Sequence, residues 1–158
     1  ILIRSATKLT SDILADCNNL KVIGRAGVGV DNVDLDQATK NRILVMNTPL
    51  GNLEATAELS VGLMFSIMRN IHLANDSTHQ GKWEKTKFIG TELKGKTLGI
   101  VGYGNIGQRV AEICSTIGMK IITNSKSASD DDLSKFDVKK VSTEDLIKEA
   151  DILSLIHI

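Results

Sequence analysis

The sequence predicts an α/β protein in two parts, each built on parallel strands. Short β-branched runs alternate with helix-period segments along most of the chain, and a glycine-rich turn joins an apolar strand to a helix at residues 102–107. With 158 residues, 42% of them hydrophobic, the chain has the apolar material for a buried core. Nineteen basic and nineteen acidic side chains cancel, without a dense Lys/Arg block. That balance argues against a nucleic-acid surface and makes any anion site a local one. The most apolar stretch, residues 59–68, stops at Arg69 and is too short to span a bilayer, so a soluble protein without a membrane partner is expected. Cys17 and Cys114 lack C-x-x-C spacing, so neither a disulfide framework nor a metal site is expected, and a reducing cytoplasm suits the chain. It opens without Met on Ile1-Leu2-Ile3, closes on another apolar run and carries no signal peptide, so it reads as cut at both ends.

The elements follow in order. Residues 1–3, 21–24 and 43–46 read as strands, and residues 10–17 and 34–41 as helices between them; strand, helix, strand with short links means parallel pairing. A long helical pattern runs from Asn52 through Met68 towards Ser77, apolar nearly all round in its middle, as expected of a helix crossing between two domains. Polar residues dominate 75–87, with Gly81 as a breaker. Alternation resumes with strand 97–101, helix 106–117 stopped by Gly118, strand 120–123, helix 130–136, strand 138–141, helix 143–149 and strand 152–155. Ser142, with Asp145 three residues on, marks the start of the last helix. The expected division is 1–50, a connecting segment 51–96, and 97–158.

Gly102-Tyr103-Gly104-Asn105-Ile106-Gly107 carries the G-x-G-x-x-G pattern in its required setting, after a strand and at the opening of a helix. Gly102 permits the tight turn, Gly104 lets the backbone approach a pyrophosphate, and Gly107 lets the helix lie close to the strand. The phosphates of a nicotinamide dinucleotide would then meet free N–H groups at the positive helix end, including those of Asn105 and Ile106. Residues 97–158 are therefore expected to form the first half of a Rossmann nucleotide-binding domain. NAD sites place an acid about 20 residues beyond such a turn, at the end of the second strand, to hold the ribose hydroxyls. Here Asn124-Ser125-Lys126-Ser127 stands instead. Two readings follow: Ser125 and Lys126 receive the 2′-phosphate of NADP, or Ser125 bonds the ribose of NAD while Lys126 stays in solvent.

Four further segments share one register: Arg4-Ser5-Ala6-Thr7-Lys8, Gly24 through Asp34, Val45-Met46-Asn47-Thr48-Pro49, and Gly81-Lys82-Trp83-Glu84. Together they resemble the D-2-hydroxyacid dehydrogenase family, within it the members that oxidise 3-phospho-D-glycerate at the entry to serine synthesis. The resemblance implies that residues 1 to about 48 end a flavodoxin-like substrate domain, that the active site lies in a cleft between the domains, and that the complete protein is a homo-oligomer. It implies substrate contacts from Arg4, Ser5, Arg25, Val28 and Gly29, with Val28 also touching the cofactor. The residues support this carry-over, because Arg4 and Arg25 end adjacent strand patterns and a guanidinium suits phosphate or carboxylate. The glycines of the 25–29 loop expose N–H groups able to hold a carboxylate; a surface salt bridge is the alternative for each arginine.

The family's catalytic Arg, Glu and His motifs are absent from the chain. Its usual His-x-Pro after the last strand reads Ile156-His157-Ile158, one position late, so His157 receives no catalytic role. His72 and His79 are expected to be structural or solvated. Trp83 is either a subunit contact, bringing Lys85 towards a neighbour's substrate, or a local core anchor. The leading expectation is a piece of a dehydrogenase, inactive by itself; the alternative is a nucleotide-sensing module of the corepressor type on the same fold.

Overall fold

The computed structural model describes residues 1–155; His157 and its neighbours lie outside the described residues. The chain divides into two compact units, Ile1–Asn52 and Leu53–Ile158.

In the first unit, β1 (Leu2–Ile3), β2 (Val22–Arg25) and β3 (Leu44–Asn47) form a parallel sheet in that order, with α1 (Ser11–Ala15) and α2 (Leu35–Lys40) in the intervals. Alternation along the strands makes the core: Ile3 and Ile23 are buried with Leu14, Val33, Ala38 and Ile43, while Leu2, Val22, Leu44 and Met46 are exposed. Asp34 caps α2 by accepting a hydrogen bond from the Gln37 N–H at 2.8 Å.

In the second unit, β4 (Thr97–Val101), β5 (Lys120–Asn124), β6 (Lys139–Lys140) and β7 (Ile152–Ser154) form a parallel sheet in the order β6-β5-β4-β7. The connections are α5 (Asn105–Thr116), α6 (Asp130–Ser134) and α7 (Thr143–Glu149). Ser129 and Ser142 cap α6 and α7 through the N–H groups of Asp132 and Asp145. Gly118, at φ +90°, turns the chain out of α5 towards β5. The core runs through Leu98, Ile100, Val110, Ala111, Cys114 and Ile121.

The connecting segment does more than connect. α3 (Leu53–Met68) contributes Ala57, Val61 and Met64 to this core and packs on α5, and Arg109 of α5 bonds Glu54 at 2.9 Å. The continuous helix expected towards Ser77 is interrupted: Asn70 adopts φ +53°, and α4 (Ile71–His79) starts afresh. Asparagine tolerates this left-handed conformation, and the break leaves the Met68 carbonyl to accept the Thr91 N–H at 2.7 Å. Trp83 is 82% exposed, which excludes the local core anchor. Among the described residues no helix is long and apolar enough to cross a membrane.

Leu98 is fully buried on the central strand β4. Leu98→Ala in the complete protein should cost about 2–5 kcal/mol of stability, measured by urea denaturation.

Candidate functional site

Two groups of the expected site residues assemble, one in each unit, both at the carboxyl ends of parallel strands. In the first unit Arg4 follows β1 and Arg25 closes β2, and with Ser5, Gly27, Thr48 and Asn52 they line a cavity of about 510 Å³. Asn32 holds this corner together. Its side chain, 9% exposed, donates to the carbonyls of Arg4 at 3.0 Å and Thr7 at 2.6 Å and accepts from Arg25 Nε at 3.4 Å. One amide therefore fixes both the loop after β1 and the guanidinium at the end of β2. A side chain at position 27 would overlap that guanidinium, so Gly27 leaves the space Arg25 occupies.

The next loop is tied from below. Asn47 Nδ2 donates to the Val28 carbonyl at 2.7 Å, and the Thr48 N–H to the Gly27 carbonyl at 3.0 Å. Among the described residues the N–H groups of Val28 and Gly29 donate to no backbone carbonyl, which leaves them able to meet an anion. Val28 and Gly29 do not line the Arg4–Arg25 cavity. Sequence reasoning missed Asn32, Asn47 and Thr48 as organising residues. Nothing in a single Asn predicts three partners drawn from residues 4, 7 and 25.

In the second unit Gly102 leaves β4 at φ +84° and donates its N–H to the Asn124 carbonyl at 3.0 Å. Gly104 precedes α5 in extended backbone and supplies no side-chain cap, so the first-turn N–H groups, those of Asn105 and Ile106 included, have no capping side chain. A Cβ on Gly104 would meet nothing within 4 Å among the described residues, so the side of the turn it would occupy is open. Position 107 is different: a Cβ there would lie 2.6 Å from the Gly102 carbonyl oxygen. An open helix end over a glycine turn fits a pyrophosphate, which Gly102, Gly104 and the N–H groups of residues 105–107 would hold.

Ser125 follows directly on β5, 7% exposed, with Lys126 exposed beside it. Tyr103, inside the turn, points its ring into the core; it is 3% exposed, and among the described residues its hydroxyl has no hydrogen-bond partner. Burial, and secondarily the charge of Asp132, holds this phenol above its ordinary pKa. Burial likewise pushes the Cys114 thiol up to about 11, so it is inert at neutral pH. His72 and His79 are exposed on α4. Among the described residues no group of three His, Cys, Asp or Glu side chains could hold a metal.

Residues 61–157 match the family model described as the NAD-binding domain of D-isomer-specific 2-hydroxyacid dehydrogenases. D-3-phosphoglycerate dehydrogenase of Homo sapiens is 45% identical over 155 residues, 98% of this chain and 29% of that protein. A hydroxypyruvate reductase of Thermotoga maritima is 46% identical over 98% of this chain and 50% of its own length. The chain thus spans half or less of the curated relatives it matches. Among solved structures, D-lactate dehydrogenase from Aquifex aeolicus, complexed with NAD and lactic acid, superposes with a TM-score of 0.89 at 30% identity, covering 100% of this chain and 47% of that one.

Asn32→Ala strands two carbonyls and a guanidinium at once. It should cost about 1–3 kcal/mol in urea denaturation of the complete protein, the penalty of polar groups left without partners. Tyr103→Phe removes an unpartnered hydroxyl, so the melting temperature should stay level or rise; a clear fall would mean that the hydroxyl is engaged.

Proposed function

The chain belongs to the D-isomer-specific 2-hydroxyacid dehydrogenase family, and from that membership we propose that the complete protein moves a hydride between a D-2-hydroxyacid, 3-phospho-D-glycerate, and a nicotinamide dinucleotide. The observation that carries this reading is the pair Arg4 and Arg25 on one cavity, fixed by Asn32. A substrate with a phosphate at one end and a carboxylate at the other calls for two cationic or N–H-rich positions, and planar guanidinium groups bind both anions in bidentate fashion. The 45% identity to human D-3-phosphoglycerate dehydrogenase supports the same substrate.

In this reading Arg4, Arg25 and the Ser5 hydroxyl hold the phosphate end of the substrate. The free N–H groups of Val28 and Gly29 hold its carboxylate. Gly102, Gly104, Asn105, Ile106 and Gly107 hold the pyrophosphate through backbone N–H groups at the start of α5, and residue 125 faces the adenosine ribose. The bound nicotinamide supplies the hydride acceptor for the C2–H bond. Fixing both ends of the substrate restricts C2 to one orientation, which is the chain's contribution to rate. No residue of this chain is assigned to take the hydroxyl proton. The reading places the protein at the entry to serine synthesis, in the cytoplasm, as a homo-oligomer with the exposed Trp83 as a subunit contact.

The test is nicotinamide reduction by the complete protein with 3-phospho-D-glycerate, against hydroxypyruvate in the reverse direction. Efficient turnover of the phosphorylated acid is expected; nicotinamide binding without turnover of any D-2-hydroxyacid would instead mark a sensing module. Arg25→Ala should raise KM for 3-phospho-D-glycerate about 10- to 100-fold, the worth of one charge-assisted contact, with a smaller effect on kcat. An unchanged KM rejects the role given to Arg25.

A further inference from the structure

We infer that the dinucleotide site takes the 2′-phosphorylated cofactor, NADP(H), in preference to NAD(H), with Ser125 and Lys126 receiving the phosphate. This rests on the nicotinamide reading above and deepens it. The parallel register of β4 on β5 pairs Val101 with Asn124, and the Gly102 N–H bonds the Asn124 carbonyl at 3.0 Å. Residue 125 is thereby fixed beside the glycine turn, at the strand end where an NAD site carries the acid that binds the ribose hydroxyls. A carboxylate there repels a 2′-phosphate, whereas a serine hydroxyl donates to it.

The charge around the position points the same way. From residue 121 to 129 Lys126 is the only charged side chain, and it enters none of the ion pairs among the described residues. The nearest carboxylates in sequence, Asp130, Asp131 and Asp132, open α6, where the helix N-terminus favours them. Asp132 is engaged by Ser129 Oγ and Lys135 Nζ, each at 2.7 Å. An uncommitted ammonium next to a neutral hydroxyl gives a phosphate dianion two donors and offers NADH a single neutral one.

The experiment is fluorescence titration of the complete protein with NADPH and NADH, with adenosine 2′,5′-bisphosphate and AMP as competing fragments. NADPH should bind about tenfold or more tightly than NADH, and the bisphosphate should outcompete AMP, as one added charge-assisted contact requires. Lys126→Ala should reduce that preference about tenfold, and added salt should erode it, because the ammonium is exposed. Ser125→Asp should reverse it towards NADH. Equal or tighter binding of NADH to the unaltered protein overturns the inference and leaves the nicotinamide reading standing. Failure of both dinucleotides and both fragments to bind overturns the two together.

Discussion

The second unit depends on one close approach, that of the first turn of α5 to the end of β4. At position 107 a Cβ would lie 2.6 Å from the Gly102 carbonyl oxygen, so the helix reaches its place only with glycine there. From that contact the rest follows. The helix axis points its free N–H groups into open space before Gly104, and the buried side of α5 brings Val110, Ala111 and Cys114 onto the sheet. The same helix then receives α3 through Ala57, Val61 and Met64. An uncapped helix start and a hydrophobic core are thus consequences of one steric allowance.

The first unit solves a similar problem with a polar residue. Three parallel strands end together, but a guanidinium on a strand end is flexible, and fixing it costs side-chain entropy. Asn32 offsets that cost by bonding Arg25 and the loop after β1 simultaneously, and Gly27 leaves room for the guanidinium. Burial of the Asn32 side chain is tolerated because both of its polar ends are occupied.

What was legible in the sequence is what depends on local chemistry. The strand runs, the glycine turn, the Ser142 cap and the stop at Gly118 each reside in a few consecutive residues, and the structure has them all. The placement of Arg4 and Arg25 on one cavity followed from parallel strands ending together. The break at Asn70 was not legible, because the Met68 carbonyl finds its partner at Thr91, across a segment with no periodic signal. Nor was the role of Asn32, whose partners lie up to 28 residues away. The exposure of Trp83 belongs with these, since a lone aromatic carries no periodicity to orient it.

Net charge offers a final constraint. With equal numbers of acids and bases the chain has no net charge to gather anions, which puts the weight on local contacts. In both units the residues proposed to meet an anion stand at the carboxyl ends of parallel strands: Arg4 and Arg25 in one, Ser125 with Lys126 in the other. Arg4, Arg25 and Lys126 are not among the buried core residues, so a side chain can change there while the sheet and its register stay as they are. The scaffold thus fixes where the strand ends stand, and the chemistry of a site is left to the side chains it carries there.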